Sequence, residues 1–382
     1  MNAKDRTWAE IHLERIDHNY KLLRNAAPTS RLLASVKADG YGHGAVAVAR
    51  RLAGLGCDYL SVACLAEAVE LRRAGINLPI LVYGYTNPAD ATLLTELNLT
   101  QSIFTLEMAQ AYSAALAGTD AVLNIHIKLD SGMGRLGFDC RLDEPLDAPA
   151  VPGLPHLNVE GIFTHFAVAD SDTEKDDAYT LQQLAHFTRA ADWLDTASGR
   201  KIPMRHTANS AAAWRLPQTH LDMIRPGLAV YGLAPNPAAI TAPLQPVMEL
   251  KTRIIQVRTF ADAAYISYGK SYRTTPGETL ATVPIGYADG LPRHISGKMD
   301  MLLHGQRVPQ VGRICMDMCM LDVSAVPNAK AGDVITVFGT DGDVHLSIDT
   351  HAAAADTIAY ELLCRVAPRV PRVYVGIDSS RL

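Results

Sequence analysis

Through the first two-thirds of the chain, short apolar runs rich in β-branched residues alternate with longer stretches whose apolar residues return at helical spacing. The short runs predict strands at Leu32–Val36, Tyr59–Val62, Ile80–Val82, Thr100–Ile103, Val122–Ile127, Val159–Phe163, Met204–His206 and Met223–Arg225. The longer stretches predict helices such as Ala45–Ala53, Leu65–Ala74, Leu106–Leu116 and Tyr179–Ala197. In the last of these, Leu181, Leu184, Ala191 and Leu194 recur at helical spacing. Strands interleaved with helices in this way fit an α/β fold, a (β/α)8 barrel.

The rhythm breaks at "APNPAAITAPLQP", where Pro235, Pro237, Pro243 and Pro246 stop helices and interior strands alike. This places a barrel domain over residues 1–240 and a second domain over 241–382. Beyond the break the pattern is alternation punctuated by turn residues, as in "LKTRIIQVRTF", "ETLATVPIG", "DMLLHGQRVPQVG" and "GDVITVFG". The second domain is therefore predicted to be mostly β.

Composition narrows the function classes. At 382 residues the chain is too long for one ordinary core. With 48% hydrophobic and 20% charged residues it has the balance of a globular protein. A net charge of −5 with no long basic block argues against nucleic acid or an anionic membrane as partner. The polar start "MNAKDRTWAE" does not read as a signal peptide, and no apolar run is long enough to span a bilayer, so a cytoplasmic location is expected. The six cysteines are scattered through a long chain and read as reduced thiols. Cys315 and Cys319 lack the C-x-x-C spacing of a zinc knuckle, and no metal site is expected.

Candidate chemistry gathers at one end of the predicted barrel. "ASVKADGYGHGA" holds three glycines, but G-x-G-x-G alone is weak evidence for a phosphate loop. Lys37 directly follows the first barrel strand, at the carboxyl end where barrel active sites form. Lys128, Arg135, His165, the "HTANS" segment and Arg225 follow other strands at the same end. Singly, each has an ordinary explanation: a solvated lysine, a packing histidine, Ser210 as a helix N-cap. Their convergence weakens those explanations. Lysine is the residue type that forms a Schiff base with an aldehyde cofactor. A phosphorylated cofactor also needs backbone amides, which "ANSAAA" at a helix start and "RPGLAVYG" at Gly227 offer. The glycines of "DGYGHG" then shape the turn, and the lysine carries the chemistry.

Nine motifs in order carry a resemblance over nearly the whole chain: "SVKADGYGHG", "IKLDSGMGRLGF", "GIFTHFA", "HTANSAA", "MIRPGLAVYGL", "ISYGKSY", "PIGYADGLPR", "GRICMDM" and "IAYELLCRVAPRVPR". The chain resembles the pyridoxal-phosphate-dependent alanine racemases. The resemblance implies a barrel followed by a β domain, with the N-terminal segment packed on the β domain. It also implies a homodimer with shared active sites, alanine as substrate, and D-alanine supplied for peptidoglycan.

Residue by residue, the resemblance implies that Lys37 holds pyridoxal phosphate as an imine and acts as base on one face of the substrate. Tyr268, from the partner's β domain, acts on the other. Two bases suit an inversion, which removes the α-proton from one face and returns one to the other. Tyrosine ionises near pH ~10, so a phenol acting as base needs a cation beside it. Arg135 supplies that cation and binds the substrate carboxylate. In the family the residue matching Lys128 is often carbamylated and then holds this arginine; an unmodified lysine there would repel it. Arg225 matches the residue facing the pyridine nitrogen, and an arginine cannot accept a proton, so the nitrogen stays unprotonated. His165 is expected beside the ring and in contact with Arg225. Tyr41, Ser210, Tyr360 and the backbone of Gly227 and Leu228 are expected on the phosphate, with Asn209 adjacent. Met316, Tyr287 and Asp317 are expected on the inner wall of the partner's entry. Tyr83, in "LVYGYT", stands where relatives usually carry an aliphatic residue.

A basic amino-acid decarboxylase on the same fold would carry an acidic residue in place of Arg225 and a cysteine in place of Tyr268. A non-catalytic cofactor carrier would need neither Tyr268 nor Tyr287.

Overall fold

The computed structural model describes residues 4, 6–141, 143–236, 238 and 240–376. The described residues form two compact units. One comprises Arg15–Gly40 and Ala45–Gln245; the other takes residues up to Glu14, the short piece Tyr41–Gly44, and the chain from Pro246 on. The division thus falls at the last proline of the proline-rich stretch rather than at residue 240, and the N-terminal strand belongs to the second unit. Pro237 lies outside the described residues.

The first unit is the barrel. Its parallel strands run in the order Met223–Ile224, Arg31–Ser35, Tyr59–Val62, Ile80–Val82, Leu99–Ile103, Leu123–Asp130, Leu157–Phe163 and Met204–His206. The two end strands are bridged by Asp222 N to Arg205 O (3.0 Å) and Arg225 N to Ala208 O (2.9 Å). Each predicted strand is present, three with the predicted ends and the others with ends shifted by one to three residues; the fifth runs on to Asp130 because its polar residues Lys128 and Asp130 are buried. The long outer helix is Glu174–Ser198, capped by the Thr173 hydroxyl at Asp176 N and closed by Gly199 at φ 66°. It buries Thr180, Gln183, Phe187, Ala190, Ala191 and Leu194, while Leu181 is exposed. Among the described residues no helix is long and apolar enough to cross a membrane.

The barrel interior changes character along its axis. Leu33, Tyr59, Leu81, Met204 and Met223, on five strands, pack as one apolar cluster. Strand side chains repeat every two residues. Two positions further along those strands the same face carries Ser35, Ser61, Tyr83, His206 and Arg225. The carboxyl end of the barrel is therefore lined by polar side chains instead of the branched apolar residues that usually fill a barrel.

The second unit is built on an extended β-sheet. Thr7–His12 pairs antiparallel with Met248–Arg253 and parallel with Arg372–Val375. Val334–Asp341 pairs with Met248–Arg253 on that strand's other side. "DMLLHGQRVPQVG" forms a hairpin, Asp300–Leu303 with Gln306–Val311, turned by His304 and Gly305 at φ 50° and 73°. That pair of left-handed residues is the two-residue turn that matches strand twist. Two short helices, Ile348–Ala354 and Ala359–Arg365, belong to this unit and interrupt its mostly β character.

Candidate active site

Lys37 follows the first barrel strand and opens a tight turn. The next four residues, Ala38, Asp39, Gly40 and Tyr41, have φ of 52°, 53°, 61° and 52°. Left-handed backbone costs roughly 1–2 kcal/mol for each non-glycine residue. Side chains and backbone hold the turn in compensation: Glu67 accepts from Ala38 N (2.7 Å) and Ala63 N (2.7 Å), and Asp39 accepts from Ala45 N (2.8 Å). Gly40 N reaches back to Val36 O at 2.9 Å. The glycines explain only part of this turn, since three of its four left-handed residues carry side chains.

Four cations converge on His165. Burial, then Arg225, Lys128, Arg135 and Lys37, drive its imidazole well below the usual histidine range. Arg225 is buried and donates to Thr164 O (2.7 Å), Thr207 O (3.0 Å) and the His206 ring (3.2 Å). The imidazole bonded to Arg225 is thus His206, whereas His165 feels the guanidinium through space. Lys128 is buried with its ammonium 4.8 Å from the Phe163 ring centroid, and the Arg225 guanidinium lies 5.4 Å from the same ring. Burial, with Arg225 and Arg135 beside it, pulls the Lys128 amine down to about 7. The neighbouring carboxylate, Asp130, is committed to Gly132 N and Gly134 N at 3.0 Å each, which shapes the loop carrying the exposed Arg135. Tyr83 packs on the apolar cluster with its ring 5.9 Å from Phe163. Burial raises its phenol and Arg225 opposes the rise, so the hydroxyl of this unexpected tyrosine faces the guanidinium.

Beside this cationic end two short helices begin, Ser210–Arg215 and Leu228–Tyr231. Asn209, not Ser210, is the N-cap of the first, accepting from Ala212 N at 2.9 Å. The Ser210 hydroxyl instead accepts from Gly227 N at 2.9 Å, drawing the two helix starts together. Helix starts drawn together in this way are where backbone amides can meet a phosphate.

The remaining predicted residues lie in the second unit. Tyr268 is 67% exposed, on a turn fixed by Ser267, whose hydroxyl accepts from Arg313 N (2.8 Å) and donates to Arg313 O (3.0 Å). Tyr287 and Met316 are exposed on two crossing segments, joined by Tyr287 N to Cys315 O and Ala288 N to Met316 O, each 3.0 Å. The crossing requires Gly286, because a Cβ there would stand 2.4 Å from the carbonyl oxygens of Cys315 and Met316. Asp317 is held by Arg369 at 2.8 Å. Arg369 and Arg6 also grip Asp289, a buried carboxylate that the sequence reading passed over. Burial raises Asp289, and the two arginines and Gly286 N outweigh it, holding it below the usual carboxylate range. Tyr360 lies on helix Ala359–Arg365, and Tyr41 on the short piece Tyr41–Gly44.

Comparison with known proteins decides what these residues belong to. Residues 11–235 match the family model "Alanine racemase, N-terminal domain", and residues 247–374 match "Alanine racemase, C-terminal domain". The chain belongs to the alanine racemase family. It is 46% identical to the alanine racemase of Desulfovibrio desulfuricans over 96% of this chain and 98% of that protein. The alanine racemase of Desulforamulus reducens is 43% identical over 98% and 100% of the two chains. Among solved structures, the Bacillus anthracis alanine racemase with bound L-Ala-P superposes with a TM-score of 0.90 at 34% identity, covering 97% of this chain and 95% of that one. That of Clostridium difficile 630 gives a TM-score of 0.89 at 37% identity, covering 97% and 95%. The family depends on pyridoxal phosphate. The barrel fits that group: a lysine at its mouth, four cations with the nearby carboxylate already committed, and converging amides suit a phosphorylated aldehyde.

Two functional candidates escaped the sequence reading, His126 and His206. His206 stood inside the "HTANS" motif without a role. His126 left one readable trace, since its strand partner is Gly161, and a glycine inside a strand marks a close approach.

Proposed function

We propose that the chain interconverts L-alanine and D-alanine, with Lys37 and Tyr268 as the two bases. The observation that carries this reading is the cationic barrel mouth, with Arg225 where a decarboxylase would place an acid. Lys37, Ser210, Arg225 and the amides of Gly227 and Leu228 would hold the cofactor, with His165 beside the ring and Asn209 ordering the helix start. Pyridoxal phosphate, when bound, acidifies the α-hydrogen of the attached amino acid by delocalising the developing negative charge. Lys37 Nζ takes or returns a proton on one face, and the Tyr268 phenol does so on the other. Arg135 and the backbone N–H of Met316 orient the carboxylate; Tyr287 and Asp317 belong to the wall that admits only a small side chain. Arg225, which can only donate, would face the pyridine nitrogen of the bound cofactor and offer it no acceptor for a proton. Tyr268, Tyr287, Met316 and Asp317 are supplied by the partner chain of a homodimer. The reaction is cytoplasmic and supplies D-alanine for peptidoglycan. Chiral chromatography of L-alanine incubated with the cofactor-loaded protein should show D-alanine rising until the two enantiomers are equal. Bound cofactor with no D-alanine would instead identify a carrier.

Lys128 carries a second expectation. Only a neutral amine attacks carbon dioxide, forming the N–C bond of a carbamate and releasing a proton. Its pKa of about 7 makes the neutral form prevail above that pH and the ammonium below it. The product anion would pair with Arg135 and remove a like-charge repulsion. With 13C-labelled bicarbonate, a protein carbamate signal should grow as pH rises through about 7, fade on acidification, and be missing from Lys128→Arg. A signal that survives in Lys128→Arg would assign the carbamate elsewhere.

A further inference from the structure

Behind Arg225 lies a chain of two imidazoles that no part of the proposed reaction uses. Arg225 Nη1 is 3.2 Å from His206 Nδ1, and His206 Nε2 is 2.9 Å from His126 Nδ1. A guanidinium only donates hydrogen bonds. His206 Nδ1 must therefore accept, which puts the His206 proton on Nε2. That proton is donated to His126 Nδ1, which puts the His126 proton on its own Nε2. One obligate donor thus fixes both tautomers.

The fold makes room for this chain. His126 and His206 are fully buried. A Cβ at position 161 would stand 2.8–2.9 Å from three atoms of the His126 ring, so the strand partner of His126 can only be glycine. His206 stacks on Phe163 with centroids 4.9 Å apart and planes at 8°, and His126 meets the edge of the same ring at 6.5 Å. Burial and the nearby guanidinium keep both rings neutral, with His126 pulled down to about 3. Among the described residues no carboxylate enters the chain, and the far end, His126 Nε2, has no hydrogen-bond partner.

We propose that His126 is a positioning residue, acting through His206 to hold the guanidinium of Arg225 in one orientation at full charge. This rests on the reading that Arg225 faces the cofactor ring. Without an acceptor at His126, His206 is free to carry its proton on Nδ1, where it would meet Arg225 donor to donor. The guanidinium would then lose its contact with His206 and keep those to Thr164 O, Thr207 O and Tyr83.

The test has two arms. In the cofactor-loaded protein with 15N-histidine, two buried imidazoles should each show the Nε2–H tautomer, with a 15N–15N coupling across the hydrogen bond that disappears in His126→Leu. Either ring with its proton on Nδ1 would overturn the relay. In the second arm, His126→Leu should lower kcat roughly tenfold with KM for alanine within about twofold, as removal of an outer hydrogen-bond partner does elsewhere. His126→Asn, whose amide oxygen takes the place of Nδ1, should recover most of the loss. Equal impairment of the two variants, or none in His126→Leu, would reduce His126 to a packing residue. A wild-type protein that makes no D-alanine would overturn the functional reading while leaving the imidazole measurement to decide the relay.

Discussion

Replacing Lys37 with alanine should lower alanine racemisation by roughly a thousandfold or more, because on the proposed reading it removes both the covalent anchor and one of the two bases. The expectation has a specific competitor inside the same barrel. Lys128, with its amine pulled down to about 7, has much of its neutral form available near neutral pH. Availability is not access. Lys128 is buried against Phe163, whereas Lys37 is half-buried at the end of its strand on a turn braced by Glu67 and Asp39. Borohydride reduction of the cofactor-loaded protein, followed by peptide mapping, should therefore find the label on Lys37. A label on Lys128 or on Lys270 would overturn the assignment, and a Lys37→Ala protein that still racemises at wild-type rate would do the same. The reduced wild type and Lys37→Ala together separate loss of the anchor from loss of fold, since the variant should keep its far-ultraviolet circular dichroism.

The barrel was legible because its strands are short apolar runs set between helical patterns, and an apolar run of that kind needs no distant partner to be recognised. What escaped were places where buried positions are polar. Leu123–Asp130 reads as ending at Ile127 because Lys128 and Asp130 look like loop residues, yet both are buried. The outer helix was found from its leucines, but Leu181 faces solvent while Thr180 and Gln183 are buried. Those two tolerate burial because they bond backbone: Gln183 accepts from Ala167 N and donates to His165 O, and Thr180 donates to Asp176 O. The turn after Lys37 was attributed to glycine, whereas side-chain hydrogen bonds hold Ala38 and Asp39 left-handed, and no local pattern announces that. The His126–His206 pair joins residues 80 apart in the chain, so spacing could not reveal it. Candidate site residues are proposed through the motifs of a family; the groups packed behind them carry no such motif, because those contacts form between strands.

Mixing Lys37→Ala with Tyr268→Phe should restore activity that neither variant has alone, if the two bases meet across a dimer. They lie on different compact units: Lys37 ends a barrel strand, and Tyr268 sits exposed on a turn of the β unit pinned by Ser267 and Arg313. An exposed phenol held on a rigid turn is what a residue offered to another chain requires, and a closed two-fold pair would present two such turns to two barrels. Each parent homodimer lacks one base in both sites and should be nearly inactive. In a mixed dimer, one site receives both lesions and the other receives neither. After reversible dissociation and random exchange, about half the dimers are mixed and half their sites intact, so about a quarter of wild-type activity should return. If both bases came from one chain, every site in every dimer would still carry a lesion. Activity no higher than the parents, with exchange confirmed by differently tagged chains, would therefore place both bases in one chain and end the shared-site reading.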